Sequence, residues 1–333
     1  MEYSNLGETG LKVSKLCLGT MVFGDAADEN ESMKIVHKAI DDGINFIDTA
    51  NGYNGGASER ILGKALKGRW DNVVLVTKVN ARTGPGPNDG GLSRYHVMRE
   101  VENSLARLGT DCIDVYMLHR PDLTTPLEET LEAMNDLVKN GKIRYIGMSN
   151  HYAWQVCRAL WLADLRKLSS IVCVQDLYNL FNRDIEVDLL PFCDAFNVGV
   201  MAYSPLARGV LTGKYVPNQE IPRDSRAGRG DSRILQTEMR DESLGIASKL
   251  NDICISEGRS LTHLALNWVL ANKIITSAVI GPRTVDQYES NIGCLDWEID
   301  ISTLEIIDQF VPAGEHTGLG FNDPQNPVRG RKL

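Results

Sequence analysis

The sequence predicts a single domain of the (β/α)8 barrel class, on three observations. The chain has 333 residues, enough for an eight-fold barrel with insertions. Eight short runs rich in β-branched residues recur along it, nearly continuous in apolar character as strands covered on both faces are. Helical apolar periodicity follows most of them, and strand alternating with helix implies a parallel sheet.

The elements follow in order. Met1–Val13 reads as a short hairpin turning at Glu8–Gly10, so residues 1–14 are set apart as an N-terminal hairpin. The predicted strands are Lys15–Gly19, Asn45–Asp48, Val73–Lys78, Ile113–Leu118, Arg144–Met148, Ile171–Gln175, Gly199–Tyr203 and Ile275–Ile280. Apolar residues spaced i, i+3, i+4 predict helices in Glu31–Asp42, Ser58–Leu66, Ser93–Leu108, Leu127–Val138, Tyr152–Leu168, Val187–Phe196 and Leu261–Leu270. Gly43, Gly141 and Gly199 sit just past helix ends, where a left-handed cap is common. One interval is abnormal. About 70 residues separate Tyr203 from Ile275, and Pro205, Pro217 and Pro222 fill its first part. A segment that long in a compact fold reads as a functional loop. Residues 204–258 are expected to fold over the mouth of the barrel, with Glu242–Glu257 helical. Residues 311–333, with Pro312, Pro324 and Pro327, read as a tail with little regular structure. No low-complexity linker divides the chain, which favours one domain over 1–333.

Composition narrows the partners. Lys and Arg number 35 against 44 Asp and Glu, a net charge of −9. A chain so acidic lacks the broad basic face that nucleic acid or an anionic membrane requires, although a basic pocket for one phosphate is compatible with it. The seven cysteines are scattered with no Cys-x-x-Cys unit, the pattern of reduced buried thiols. Met1–Lys12 has no basic region leading into an apolar run, and no apolar run nears the roughly 20 residues that span a bilayer. A cytoplasmic protein is expected, without metal, since the histidines lack ligand spacing.

In this fold chemistry sits at the C-terminal ends of the strands. The second strand runs into Asp48 and, five residues on, Tyr53. The third ends at Lys78 and the fourth runs into His119. The later ones run into Ser149–Asn150, Gln175, Tyr203–Ser204 and Gly281-Pro282-Arg283. A lone Asp at such a place is often a helix cap, and a lone Lys a surface charge. Four reactive types at three neighbouring strand ends point instead to one converging site. Lys78 would supply a cation that lowers the pKa of Tyr53, and Asp48 would hold Lys78. Tyr53 would then give a proton to a carbonyl oxygen that receives a hydride, with His119 orienting that oxygen.

These residues sit inside longer matches. They are Leu6-Gly7-x-Thr9-Gly10-Leu11-x-Val13-Ser14, Leu18-Gly19-Thr20, Gly43-Ile44-Asn45-Phe46-Ile47-Asp48-Thr49-Ala50-x-x-Tyr53 and Ser58-Glu59-x-x-Leu62-Gly63. Further on come Thr77-Lys78, His119-Arg120-Pro121-Asp122, Gly141-Lys142-Ile143-Arg144-x-Ile146-Gly147-x-Ser149-Asn150 and Ser204-Pro205-Leu206-Ala207-x-Gly209-x-Leu211-Thr212-Gly213-Lys214-Tyr215. On these segments the chain resembles the aldo-keto reductase family, in the long-loop branch of bacterial members and potassium-channel β-subunits. The resemblance implies NAD(P)H binding without a Rossmann domain, and Asp48, Tyr53, Lys78 and His119 as the catalytic tetrad. It places the nicotinamide carboxamide on Ser149, Asn150 and Gln175, and the ring-stacking aromatic on Tyr203, where many relatives have Trp. Pyrophosphate contacts fall on Ser204, Leu206, Arg208 and Lys214, with further cofactor contacts at Thr20, Pro205 and Gly281. Lys214, Arg226 and Arg283 are placed to meet a 2′-phosphate, so NADPH is expected over NADH. Gln287 and Asn291 match adenine-side positions, with Ser290 where relatives often carry Glu.

The expected activity is NADPH-dependent interconversion of a carbonyl and its alcohol. The alternative is a cofactor-binding regulatory subunit with slow turnover; a barrel aldolase using Lys78 as a Schiff-base amine ranks third. Phe23, Asn54, Asn80, Tyr152, Trp154, Tyr178 and Arg208 lie just beyond strand ends and are divided between substrate contact and loop packing. Arg82 and Arg94 flank the third loop, where they could attract an anionic substrate or stand as solvated charge, the second reading being preferred.

Overall fold

In the computed structural model of the chain, residues 1–318 together with Phe321, Asp323 and Pro324 are described; the rest of the expected tail lies outside the described residues. An antiparallel hairpin, β1 (Tyr3–Asn5) and β2 (Lys12–Ser14), opens the chain. Eight strands follow: β3 (Leu16–Gly19), β4 (Phe46–Asp48), β5 (Val74–Val79), β6 (Ile113–Leu118), β7 (Ile143–Ser149), β8 (Ile171–Leu177), β9 (Gly199–Tyr203) and β10 (Ser277–Ile280). They form a closed barrel in which β10 pairs in parallel with both β3 and β9, so that no edge is left open. The helices are α1 (Glu29–Asp41), α2 (Ala57–Ala65), α3 (Arg94–Leu108), α4 (Leu127–Lys139), α5 (Ala153–Arg166), α6 (Leu189–Ala195), α7 (Ser232–Thr237), α8 (Asp241–Ser256), α9 (Leu261–Ala271), α10 (Val285–Ile292) and α11 (Ile301–Phe310).

The chain groups into two compact units. The first is Met1–Asp176, Asp188–Tyr203 and Lys273–Glu289; the second is Leu177–Val187, Ser204–Asn272 and Ser290–Leu333. In the first unit the helices start where the sequence offers caps. Asp28 accepts the Glu31 amide ahead of α1, and Ser93 accepts the His96 amide ahead of α3. Each then buries one apolar face, Ile35, Val36 and Ala39 in α1 and Val97, Val101, Leu105 and Leu108 in α3.

The inside of the barrel is filled by Cys17, Phe46, Val74, Val76, Val115, Met117, Cys173 and Met201, closed over by Leu6 and Val13 of the hairpin. Gly7 lets the hairpin sit that close. Its φ is +58°, and a Cβ there would stand 2.4 Å from the carbonyl oxygen of Val172 and 2.7 Å from the amide of Gly199. The end of the barrel where the strands begin is therefore sealed.

Some expectations are corrected. Gly43 and Gly141 have positive φ as expected, but Gly199 does not; Asn197, at φ +52°, makes the left-handed turn. Gly199 is needed for another reason, since Leu6 and Gly7 pack against it. In the second unit α7, capped by Asp231, and a 3-10 turn at Ala207–Thr212 stand in the stretch that reads as loop. The last strand starts at Ser277 rather than Ile275. Residues 311–318 carry neither helix nor strand. They are tied to their own unit by the Thr317 amide on the Phe181 carbonyl at 3.0 Å and the Arg183 amide on the Glu315 carbonyl at 2.9 Å. Among the described residues no helix is long and apolar enough to cross a membrane.

Candidate active site

Side chains alternate along a strand, so the residues two places beyond the core layer point the same way. Cys17, Phe46, Val76, Met117, Cys173 and Met201 face the inside of the barrel. Counting two forward gives Gly19, Asp48, Lys78, His119, Gln175 and Tyr203. This parity, together with parallel register at Asp48↔Val76 and Lys78↔Met117, brings groups distant in sequence to one level at the strands' C-terminal ends.

The structure brings Asp48, Tyr53 and Lys78 together. The Lys78 ammonium donates to Asp48 Oδ1 at 2.5 Å, to the Thr49 carbonyl at 2.8 Å and to the Tyr53 hydroxyl at 3.5 Å. Lys78 is fully buried and Asp48 nearly so. Gln175 Nε2 also donates to Asp48 Oδ1, at 2.8 Å. His119 meets Tyr53 edge-to-face, with ring centroids 5.8 Å apart. Tyr53 opens a short 3-10 turn that runs directly into α2; Asn54 and Gly55 both take positive φ there, which turns the phenol back toward Lys78.

Burial and charge compete at each group. Burial would lower the Lys78 pKa, but the Asp48 carboxylate and the Tyr53 hydroxyl more than reverse it, so the amine stays protonated. A Schiff-base role needs a neutral amine, which this environment opposes. His119 is held well below its ordinary value by burial first, then by the Lys78 and Arg120 charges, and is neutral at pH 7. For Tyr53 the sequence expectation is corrected. Lys78 does pull its pKa down, but burial is the larger effect and the net shift is upward. The resting phenol keeps its proton.

The other candidates of the first unit lie as follows. Asn150 takes φ +60° and donates Nδ2 to the His119 carbonyl at 3.0 Å and to Ser149 Oγ at 2.9 Å, while its Oδ1 accepts from the Tyr203 hydroxyl at 2.8 Å. Ser149, Asn150 and Tyr203 thus form one linked group, and Ser149 pairs with Gln175 across β7 and β8. Thr20 is fully buried, its hydroxyl donating to the Asp48 carbonyl at 2.9 Å and meeting Ser58 Oγ at 2.7 Å, so it braces the strand ends. Gly281 and Arg283 follow β10. Gln287 Oε1 accepts the Arg283 amide at 3.1 Å, while the Gln287 amide donates to Thr284 Oγ1, so this side chain closes the start of α10.

In the second unit, Ser204 has φ +54° and its carbonyl accepts from Asn179 Nδ2 at 2.9 Å. Pro205 is buried and Leu206 partly so. Arg208, at φ +54°, has Nε 4.0 Å from Glu238 Oε1. Lys214 lies 5.7 Å from the centre of the Tyr215 ring. Arg226 is paired with Asp231 at 2.8 Å. Asn291 is buried. Sequence reasoning missed Glu238. It is wholly buried and also faces Arg240 at 3.6 Å and Asn182 Nδ2 at 3.1 Å. Nothing in its local pattern distinguishes it from a surface carboxylate ahead of α8.

The mouth candidates separate. Phe23 and Tyr178 are fully buried packing residues, and the Tyr178 ring lies 4.9 Å from that of Trp268. Asn54 is spent on the Met21 and Phe23 carbonyls, at 2.9 and 2.8 Å. Tyr152 and Trp154 are exposed. Arg94 pairs with Asp136 at 2.6 Å, whereas Asn80 and Arg82 line a cavity that reaches His119. Among the described residues no cluster of three or more His, Cys, Asp or Glu is arranged to hold a metal.

Comparison with known proteins agrees with this geometry. The model of the aldo/keto reductase family matches residues 15–312. The chain is 40% identical to the Bacillus subtilis "uncharacterized oxidoreductase YrpG", over 94% of this chain and 96% of that one. It is 38% identical to a probable voltage-gated potassium channel subunit beta of Oryza sativa subsp. japonica, over 93% and 95%. It is 33% identical to the L-glyceraldehyde 3-phosphate reductase of Escherichia coli, over 95% and 94%. With a closed parallel barrel, Asp48, Lys78 and Tyr53 at its mouth and likeness over nearly the whole chain, this protein belongs to the aldo/keto reductase family.

Proposed function

We propose that the protein is an NADPH-dependent oxidoreductase that interconverts an aldehyde or ketone and its alcohol. One observation carries the reading: a single buried ammonium, on Lys78, is shared between a carboxylate and the hydroxyl of a partly exposed tyrosine. Such a hydroxyl suits a proton donor. Burial keeps its proton on at rest, and the ammonium 3.5 Å away stabilises the phenolate that is left once the proton goes to the substrate oxygen. Neutral His119, with its ring edge at Tyr53, can hydrogen-bond that same oxygen. Asp48 neutralises Lys78 and is itself oriented by Gln175.

The donor set fits a nicotinamide cofactor. Ser149, Asn150 and Gln175 present hydroxyl and amide groups of the kind that pair with a carboxamide, and Tyr203 offers a flat ring tied to Asn150. When bound, NADPH would supply the hydride. Arg283, whose backbone Gln287 holds, is the proposed reader of the 2′-phosphate.

The test is isotopic. With NADPH carrying deuterium at the nicotinamide C4 and a simple aldehyde, one deuterium should reach the product alcohol for each cofactor oxidised; oxidation without transfer of the label excludes the reading. The likeness to proteins named as potassium channel β-subunits supports a second reading, a cofactor-binding subunit with slow turnover. Turnover well below one per minute with every aldehyde and ketone tried, alongside tight NADPH binding, favours that one.

A further inference from the structure

Resting on the carbonyl-reductase reading, we propose that the cavity beside His119 is a subsite for an anionic group, so that the preferred substrate carries a phosphate or carboxylate beyond its carbonyl. The cavity holds about 460 Å³ and lies wholly in the first unit, between the loop that follows β5 and the end of β6. Its charged lining side chains are two guanidiniums, Arg82 and Arg120; the remaining walls are Asn80, Ala81, the Gly90–Gly91 backbone and His119. In a chain of net charge −9, two cations and no lining carboxylate among the described residues form a local exception that draws anions in.

The subsite is built. Arg82 Nη1 donates to the carbonyls of Gly84 and Gly86, at 3.3 and 2.6 Å, which fixes the planar fork in place. The loop bearing it is closed by the Thr83 amide on the Asp89 carbonyl at 2.8 Å and the Gly91 amide on the Asn80 carbonyl at 2.9 Å. Asn80 Nδ2 also reaches the Arg120 carbonyl at 3.3 Å, joining the two strand ends. Two carboxylates lie just outside this lining; Arg99 first, and Arg82 in smaller part, hold the Asp89 carboxyl below its ordinary range. Asp89 takes Arg99 at 2.7 Å and the Gly86 amide at 2.7 Å, and Asp122 takes the amides of Leu92 and Thr124.

The cavity also adjoins the reacting groups. His119 lines it and also meets Tyr53 edge-to-face. The Arg120 charge is felt at both: it helps depress His119 and opposes the rise at Tyr53. A carbonyl held by Tyr53 and His119 therefore has a cationic space within reach of a chain a few carbons long. A long neutral tail would find no ionic partner there, since the charged lining groups are the two guanidiniums.

Matched substrates test this: glyceraldehyde against glyceraldehyde 3-phosphate, and butyraldehyde against succinic semialdehyde, each with NADPH at low salt. The anionic member should have the larger kcat/KM by about 10- to 100-fold, the range of charge-assisted hydrogen bonds. The preference should shrink as salt is added and fall at least tenfold in R82Q/R120Q, whose folding is checked by thermal unfolding. Whichever pair shows the larger ratio identifies the anion. A ratio near one, or one that the variant leaves in place, overturns the subsite while turnover of the neutral aldehydes upholds the reductase reading. If no aldehyde is reduced, that reading fails and calorimetry decides the subsite separately. Saturable binding of glycerol 3-phosphate but not glycerol, lost in R82Q/R120Q, supports it; no saturable binding overturns it.

Discussion

Two buried ion clusters of the first unit look alike in burial and differ in what they leave undone. In one, Arg107 donates to Glu59 at 2.6 Å, to Glu100 at 2.6 Å and to Ser104 at 3.1 Å. Thr77 takes the second Glu59 oxygen at 2.6 Å, and Asn103 and Thr83 take the second of Glu100 at 3.1 and 3.3 Å. Every carboxylate oxygen has a donor. In the other, Lys78 satisfies Asp48 and the Thr49 carbonyl closely and has a third, longer contact with Tyr53, whose side chain is partly exposed. Buried charge by itself marks neither a site nor a scaffold. A buried charge with one interaction left loose, aimed at a group that solvent can reach, marks a site.

The largest effect should come from breaking that loose interaction. Tyr53→Phe should lower kcat for carbonyl reduction by about 10²- to 10⁴-fold, the usual contribution of a positioned acid. NADPH affinity, read by cofactor fluorescence, should stay within a few-fold, since the ring remains. Joint loss of turnover and of binding would mean that the hydroxyl holds cofactor rather than a proton. Thermal stability should barely move, because the Tyr53 hydroxyl contact is the longest that Lys78 makes.

The saturated cluster should respond the opposite way. Arg107→Met leaves two wholly buried carboxylates side by side, which should cost about 3–5 kcal/mol of stability in urea unfolding. The kcat of the folded fraction should stay within a few-fold. One contact links the clusters: a Cβ on Gly56, three residues after Tyr53, would lie 2.7 Å from Arg107 Cδ. A kcat lowered as much as by Tyr53→Phe would therefore show that Arg107 props the Tyr53 turn, and the contrast between scaffold and site would fail.

Legibility follows the same division. Asp48, Lys78, His119, Gln175 and Tyr203 are readable because strand parity and the chemistry of strand ends act over a few residues. The Arg107 cluster is not readable. Its partner Glu59 lies 48 residues away on another helix, and each member in isolation reads as a charged helix surface. Likewise Arg82 and Arg94 are equivalent on paper; only the closure of the loop after β5 puts one at the cavity and sends the other to Asp136. The direction of the Tyr53 shift departs from expectation for a related reason: a neighbouring cation can be inferred from spacing, but the burial that outweighs it cannot.

The smallest effect separates acid sensitivity of the fold from the chemistry. His151, next to the Ser149–Asn150 group, is buried, and its Nδ1 lies 2.8 Å from the Ser149 carbonyl oxygen. Burial lowers its pKa to about 4, against 6.5 for an ordinary histidine, although the Ser149 contact works the other way. The unfolded chain therefore takes up this proton first as pH falls below 6.5, and the stability present above that pH is lost progressively toward 4. Between pH 7 and pH 5 the loss should be ~2 kcal/mol. His119 shifts in the same direction and adds to it, whereas Glu100, held below its ordinary 4.5 by Arg107 and Asn103 against the upward push of burial, contributes only at lower pH. His151→Asn keeps a donor for the Ser149 carbonyl but removes the titration. Its unfolding midpoint in urea should fall less than that of the parent from pH 7 to pH 5, while kcat keeps the same pH profile. Equal slopes in the two proteins would move the acid sensitivity off His151 and onto the other histidines that burial holds low, His119 and His96.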